Sequence, residues 1–249
     1  MKYILEICAS SLSSALAAQE GGADRVELCD NLYEGGTTPS YGMIKLCKSL
    51  LSIPFFPIIR PRGGDFVYSD QEFEVMKQDV LCCVGLGCEG IVFGILRSDG
   101  SIDSERCSEL VKLAGSMQLT FHRAFDRCSN RIKGLEDLME LGFQRVLTSG
   151  GEDYAEDAIS DLALMVREAK NRISIMPGSG ISGHNLFKIA RATGAFEFHT
   201  TAKTKIDHMP GNHDQNNLDE RDVFQTDVGK VRKMCQILND LTAEIIPLK

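Results

Sequence analysis

One pattern recurs at four places along the chain: a helical run that stops on glycine, a short polar step, then an apolar run. The four stretches are EGGADRVELC, GLGCEGIVFG, ELGFQRVLTSG and RATGAFEFHT. Gly22, Gly87, Gly142 and Gly194 read as helix C-terminal stops that feed strands. They fall roughly 50 to 65 residues apart, about two βα units each. Between them lie YILEIC, PFFPIIR, QLTFHRAF and RISIMPG, rich in residues that suit a pleated, buried surface. SLSSALAAQEGG, QEFEVMKQDVLCCVGLG, GLEDLMELG and ISDLALMVREAKN carry apolar residues at helical spacing, several of them opening on a Ser or Asp cap.

Strict alternation of strand and helix implies a parallel sheet, and eight repeats imply that it closes. The expected fold is therefore α/β, a TIM (β/α)8 barrel, as one domain over residues 1–249. An open doubly wound sheet is the alternative. Against it, no GxGxxG separates the first strand from the first helix, and no composition break marks a linker. The polar segment 200–222, TTAKTKIDHMPGNHDQNNLDERD before residue 223, follows the eighth strand as a long loop. It suits a lid or an oligomer contact, and equally a disordered segment.

Composition narrows the partners. A chain of 249 residues with 43% hydrophobic and 25% charged residues can bury a sizeable core. Its formal net charge of −8 and lack of a basic stripe argue against nucleic acid. The first apolar run is too short for a secretory leader or a membrane span. Nine cysteines, an odd number without CxxC, read as reduced thiols and a cytoplasmic chain. A homodimer or higher homo-oligomer through the outer helices is plausible by symmetry, although no residue names an interface.

Barrel enzymes work at the C-terminal ends of their strands, where residues i and i+2 share a face. Glu6 then Cys8, Glu27 then Cys29, Arg60 then Arg62, and His122 then Ala124 are thereby expected to point inward. Glu6 and Glu27 should form one layer, with Cys8 and Cys29 the layer above. Buried carboxylates need Arg60, Arg62 or a shared proton beside them. The set fits a structural ion cluster, and it fits an acid and base with separated pKa values. Cys8 and Cys29 fit two small buried residues, and they fit a soft ion such as Cu(I). Cys82 and Cys83 are poorer candidates because adjacent helical residues diverge.

In RISIMPGSGIS, Gly178, Ser179 and Gly180 follow the seventh strand, where glycine-rich loops commonly bind anions. Ser149, in LTSGG after the sixth strand, belongs to a similar, weaker loop. A plain tight turn explains either loop as well. His199 ends the eighth strand, close enough to approach Glu6 and Cys8 once the barrel closes. His184 rides on a helix start, and His208 and His213 have no ligand spacing. In LTFHRAFD, His122 takes the pocket phase, Arg123 the rim, and Asp126 lies beyond the strand, where it can orient a neighbour or cap a turn.

EICAS, GGADRVELC, EGGTTPS, IRPRGGDFVYS, GIVFG, TFHRAFD, VLTSG, MPGSGI and EFH together resemble the CutC family of copper homeostasis proteins. The resemblance runs from about residue 3 to 201 and resumes in the last helix. It implies a cytoplasmic TIM barrel associated with copper tolerance and Cu(I) binding. Copper-associated thiols of the family fall on Cys8 and Cys29. Its pocket residues fall on Glu6, Glu27, Arg60, Arg62, Asp65, His122, Arg123, Asp126 and His199. The GSG loop departs from the family, in which a third glycine is usual.

Two functions remain open on these residues. The first is copper homeostasis, with Cu(I) held by Cys8 and Cys29. The second is a metal-independent enzyme on a small anionic or phosphorylated substrate, with Glu6 or Glu27 as base, His122 as acid, Asp126 in support, and Arg60 with the GSG loop as anion clamp. No reaction or substrate can be read from the residues themselves.

Overall fold

The computed structural model describes residues 2–206 and 223–245. Eight strands alternate with eight helices in chain order: β1 (Ile4–Ala9), α1 (Leu12–Gly21), β2 (Arg25–Leu28), α2 (Tyr41–Leu50), β3 (Phe55–Pro57), α3 (Asp70–Gly85), β4 (Gly90–Phe93), α4 (Ser104–Ala114), β5 (Gln118–Phe121), α5 (Arg131–Glu140), β6 (Arg145–Thr148), α6 (Ile159–Ala169), β7 (Ser174–Pro177), α7 (Leu186–Thr193), β8 (Glu197–Thr200) and, after a hairpin, α8 (Val228–Ile245). The hairpin pairs β9 (Lys203–Lys205) with β10 (Phe224–Thr226), antiparallel.

The four glycines read from the sequence as helix stops all take positive φ, at 92°, 68°, 85° and 72°. After three of them the chain closes the helix with a backbone bond across the glycine: Ala23 N to Ala18 O at 3.0 Å, Cys88 N to Cys83 O at 3.0 Å, and Phe143 N to Leu138 O at 3.1 Å. A side chain with Cβ would be strained in that conformation, so glycine sets where each helix ends and the next strand begins.

The strands form two parallel sheets, in the orders β3-β2-β1-β8 and β4-β5-β6-β7. A parallel bridge between Ile58 and Val92 joins β3 to β4. At the other seam β7 packs beside β8, where the Ser174 hydroxyl meets Glu197. The cyclic order is that of a TIM barrel, as expected. Leu5, Ile7, Val26, Leu28, Ile91, Phe93, Phe121, Val146 and Phe198 belong to the large core between strands and helices. The intervening positions face the barrel interior, where Cys8, Cys29, Phe56, Ile58 and Val92 make a separate small apolar cluster.

The expected loop at 200–222 needs correction. Residues 203–205 are a strand, paired to 224–226, and so form the stem of a hairpin. Their KTK sequence has no apolar alternation, which is why a periodicity reading misses it. Residues 207–222, with His208 and His213, lie outside the described residues.

The last helix is locked against the first. Val231 of α8 packs over Gly21, where an added Cβ would sit 2.5 Å from the Val231 Cβ. Gly21→Ala is therefore expected to destabilise the fold by about 1–3 kcal/mol through overpacking. Urea denaturation monitored by circular dichroism measures it; an unchanged midpoint would mean that α8 shifts freely.

Candidate functional site

Alternation along β1, β2, β6 and β8 points Glu6, Arg25, Arg145 and Glu197 into the barrel. Arg25 Nε pairs with Glu6, and Arg25 Nη2 lies 2.6 Å from Glu197 Oε2. Arg145 Nε reaches the same Glu197 oxygen at 3.1 Å, and its Nη2 donates to Gln118 Oε1 at 2.6 Å. The ring of Phe56 lies between the guanidinium groups, with centroids 5.1 Å from Arg25 Cζ and 5.3 Å from Arg145 Cζ. Two cations are thus matched by two carboxylates, a neutral floor beneath the mouth of the barrel.

Above the floor, Glu6 Oε1 accepts from His199 Nδ1 at 2.7 Å. Glu27 Oε2 lies 3.5 Å from the same nitrogen but receives no hydrogen bond, because Nδ1–H is directed at Glu6. Burial opposes ionisation of Glu6, yet Arg25 and His199 outweigh it and hold the carboxyl well below its usual range. Burial also pulls His199 down, and is outweighed by Glu27, Cys8 and Glu6, which raise it well above the usual imidazole value. Glu27 has no arginine in contact; burial, with Glu6 adding repulsion, pushes it up to about 7 against the pull of His199. Neighbouring carboxyls in one barrel are therefore pushed in opposite directions, Glu6 down and Glu27 up.

The layers differ from the expected ones. In the β1–β2 ladder Glu6 pairs with Arg25 and Cys8 with Glu27, so Glu6 and Glu27 do not share a layer. Barrel closure staggers neighbouring strands, and counting from each strand's start ignores that shear. Cys29 stands one step higher, just past β2, yet its Sγ still lies 3.5 Å from Cys8 Sγ. Contact with Cys29, more than burial, raises the Cys8 thiol well above its usual value. Cys8, Glu27 and His199 each offer a donor atom within 4.8 Å of the others, all buried.

A cavity of about 850 Å³ opens above these groups and is lined by Cys8, Glu27 and His199 on one side and by Arg60, Phe66 and His122 on another. His122 Nδ1 accepts from Ala124 N at 3.2 Å, which assigns the proton to Nε2. Burial, reinforced by the charge of Arg60, lowers His122 to about 3. The expected acid is thus held as a neutral imidazole, its Nε2 buried without a hydrogen-bond partner. Arg60 donates to the carbonyls of Glu34, Gly36 and Gly64 at 2.6, 2.8 and 2.9 Å.

Other expected site residues divide by where the chain leaves the strand. Past β3 the alternation ends, and Arg62 turns outward to Glu72 at 2.5 Å and Asp65 at 3.0 Å, away from the cavity. Asp65 is exposed and caps Val67 N at 3.1 Å. Arg123 sits at the rim, as its phase implied, with Nε 2.8 Å from Asp126. Asp126 accepts from Thr148 Oγ1 at 2.5 Å and from Ser149 N and Oγ at 3.0 Å each. Its oxygens thereby tie the β5 loop to β6. Ser149 is fully buried in that tie and does not line the cavity. Gly178 admits Leu147 and His199 where a side chain would stand, while Ser179 and Gly180 line the cavity. His184, just before α7, lines it too.

Arg25, Arg145 and Glu197 went unrecognised in the sequence. For two of them the signal was present: Arg25 and Glu197 each lie two residues before a position already read as part of the pocket, namely Glu27 and His199, whereas Arg145 had no such marker. Lys230 and Lys233 of α8 also border the cavity, although nothing in their local pattern marks them.

The CutC family model matches residues 3–204. A family protein CutC of Xylella fastidiosa is 46% identical over 240 residues, covering 94% of this chain and 88% of that one. The human "Copper homeostasis protein cutC homolog" is 47% identical over 205 residues, covering 82% and 75%. A CutC crystal structure from Streptococcus agalactiae superposes with a TM-score of 0.77 at 39% identity, covering 80% of this chain and 98% of that one. No helix among the described residues is long and apolar enough to cross a membrane.

The raised Glu27 makes stability depend on pH. The folded chain retains a proton that the unfolded carboxyl loses near pH 4.3. The contribution of Glu27 is therefore full below that value, falls as pH rises towards 7, and levels off above it, a loss of about 3 kcal/mol, while the lowered Glu6 contributes with the opposite sign at acid pH. The raised His199 adds a loss of the same sign above its unfolded value. Glu27→Gln should flatten the slope between pH 5 and 8 in urea denaturation; an equally steep variant would place the titration elsewhere.

Proposed function

Because the chain belongs to the CutC family, we propose that it serves copper homeostasis by taking up Cu(I) as cargo through Cys8 and Cys29 at the mouth of the barrel. The observation that carries this reading is the buried approach of the two sulfurs, 3.5 Å apart on neighbouring strands. The donor set fits the ion. Thiolates are soft ligands that favour Cu(I), whereas calcium or magnesium would call for a cage of oxygens. All nine cysteines are free, which accords with a reducing cytoplasm where Cu(I) and thiols persist together.

Binding requires the thiols to lose their protons, and the raised Cys8 holds its proton firmly. Glu27, opposite Cys8 in the ladder and with an oxygen free of hydrogen bonds, is placed to receive it. Glu6, held ionised by Arg25, orients His199 through Nδ1, in the way that carboxylates orient histidines beside metals. The floor thus works indirectly, by fixing the protonation and direction of the groups that face the sulfurs.

Titration of the reduced protein with Cu(I) against a competing chelator tests the proposal. Cys8→Ala and Cys29→Ala should each weaken binding by roughly 100-fold or more. Glu27→Gln should change the pH dependence of affinity without removing it. An unaltered affinity in the double cysteine variant sinks the reading.

A further inference from the structure

Arg60 is an almost fully buried cation that makes no ion pair among the described residues; its partners are three backbone carbonyls. Its Nε is buried without a hydrogen-bond partner, and so is His122 Nε2. Both residues line the same cavity, and both contact Phe66, whose ring is 5.0 Å from Arg60 Cζ and 4.9 Å from the His122 ring. A buried guanidinium without a counter-ion is costly, and a buried donor without an acceptor adds to that cost. An anionic group in the cavity would supply the missing counter-charge.

Across the cavity lies a second group of donors. Ser179 and Gly180 take φ of +75° and +71°. The loop is held from outside, by Ser179 Oγ donating to Asp153 O at 2.6 Å and Ala155 N donating to Ser179 O at 3.1 Å. The backbone N–H groups of Ser179 and Gly180 find no acceptor among the described residues. Lys233 of α8, packed against Gly183, brings an ammonium group to the same edge, beside Lys230. Successive N–H groups with adjacent cations form the chemistry of a phosphate site.

We propose that the cavity binds a small phosphomonoester bearing a carboxylate or carbonyl oxygen at its other end. The phosphate meets Ser179, Gly180 and Lys233, and the second oxygen lies on the side of the cavity lined by Arg60 and His122, drawn there by the unpaired charge of Arg60. The apolar lining, including Leu32, Ile58 and Ile181, would cover the short carbon chain between the ends. This site does not use the sulfur pair, so it stands or falls apart from the copper reading.

Calorimetry on the reduced, metal-free protein at constant ionic strength, with 3-phosphoglycerate, inorganic phosphate and glycerate as probes, tests it. The expected result is 3-phosphoglycerate binding at least tenfold tighter than either half. Lys233→Glu, an exposed change, should weaken 3-phosphoglycerate and phosphate at least tenfold while leaving Cu(I) affinity alone. Absence of binding at millimolar probe, equal affinity for phosphate and 3-phosphoglycerate, or no effect of Lys233→Glu would overturn the proposal. Loss of Cu(I) binding in the cysteine variants with intact 3-phosphoglycerate binding would show that the two sites are separate.

Discussion

The rest of the structure depends on Arg25 being charged and fully paired inside the barrel. Removing a guanidinium from water costs several kcal/mol even after relaxation, and the cost is recovered only with well-placed partners. Arg25 has Glu6 on β1, Glu197 on β8, the Met176 sulfur on β7 at 3.4 Å and the face of Phe56 on β3. Glu6, Arg25 and Glu197 stand in one sheet, whereas Met176 on β7 and Arg145 on β6, which also reaches Glu197, stand in the other. The interior charges therefore tie the two sheets together as well as neutralise one another.

The floor also sets the chemistry above it. Arg25 contacts Glu6 and Glu197 and acts on Glu27 only from a distance. Glu6 consequently stays ionised and draws the His199 proton to itself, while for Glu27, one step along the β1–β2 ladder, burial and repulsion by Glu6 outweigh the pull of His199 and Arg25. Two carboxyls of the same type are thereby pushed in opposite directions. The thiol of Cys8 then has a proton acceptor beside it that is neither permanently charged nor permanently neutral near pH 7, a condition useful for any ligand that must displace a proton.

Much of this was legible in the chain. Glycine stops at Gly22, Gly87, Gly142 and Gly194 mark helix ends because positive φ is a local demand, satisfied by local sequence. The inward phase of Glu6, Cys8, Glu27, His122 and His199 follows from alternation, which is local as well. Register is not local. The two-residue stagger between β1 and β2 comes from closure, and it moved Glu6 from Glu27 to Arg25. Extending the alternation backwards by two residues from Glu27 and His199 would have found Arg25 and Glu197; what hid them was the expectation that chemistry sits only at strand ends. Arg62 and Ser149 misled for the opposite reason, since both lie where the strand has ended and phase no longer predicts direction.

The cavity is divided by the hardness of its donors. Sulfurs, a histidine and a titrating carboxyl stand on β1, β2 and β8, while Arg60, neutral His122, the Ser179–Gly180 amides and Lys233 stand on the β3, β5, β7 and α8 sides. A soft cation has no affinity for the second group, and an oxyanion is repelled by the carboxylates of the first. The division follows from the barrel: each strand contributes one inward side chain per layer, so neighbouring strands can carry unrelated chemistry a few ångströms apart. The neutral floor is what permits it. With Arg25 and Arg145 already balanced by Glu6 and Glu197, neither half of the mouth has to compensate the other, and each can be charged for its own ligand.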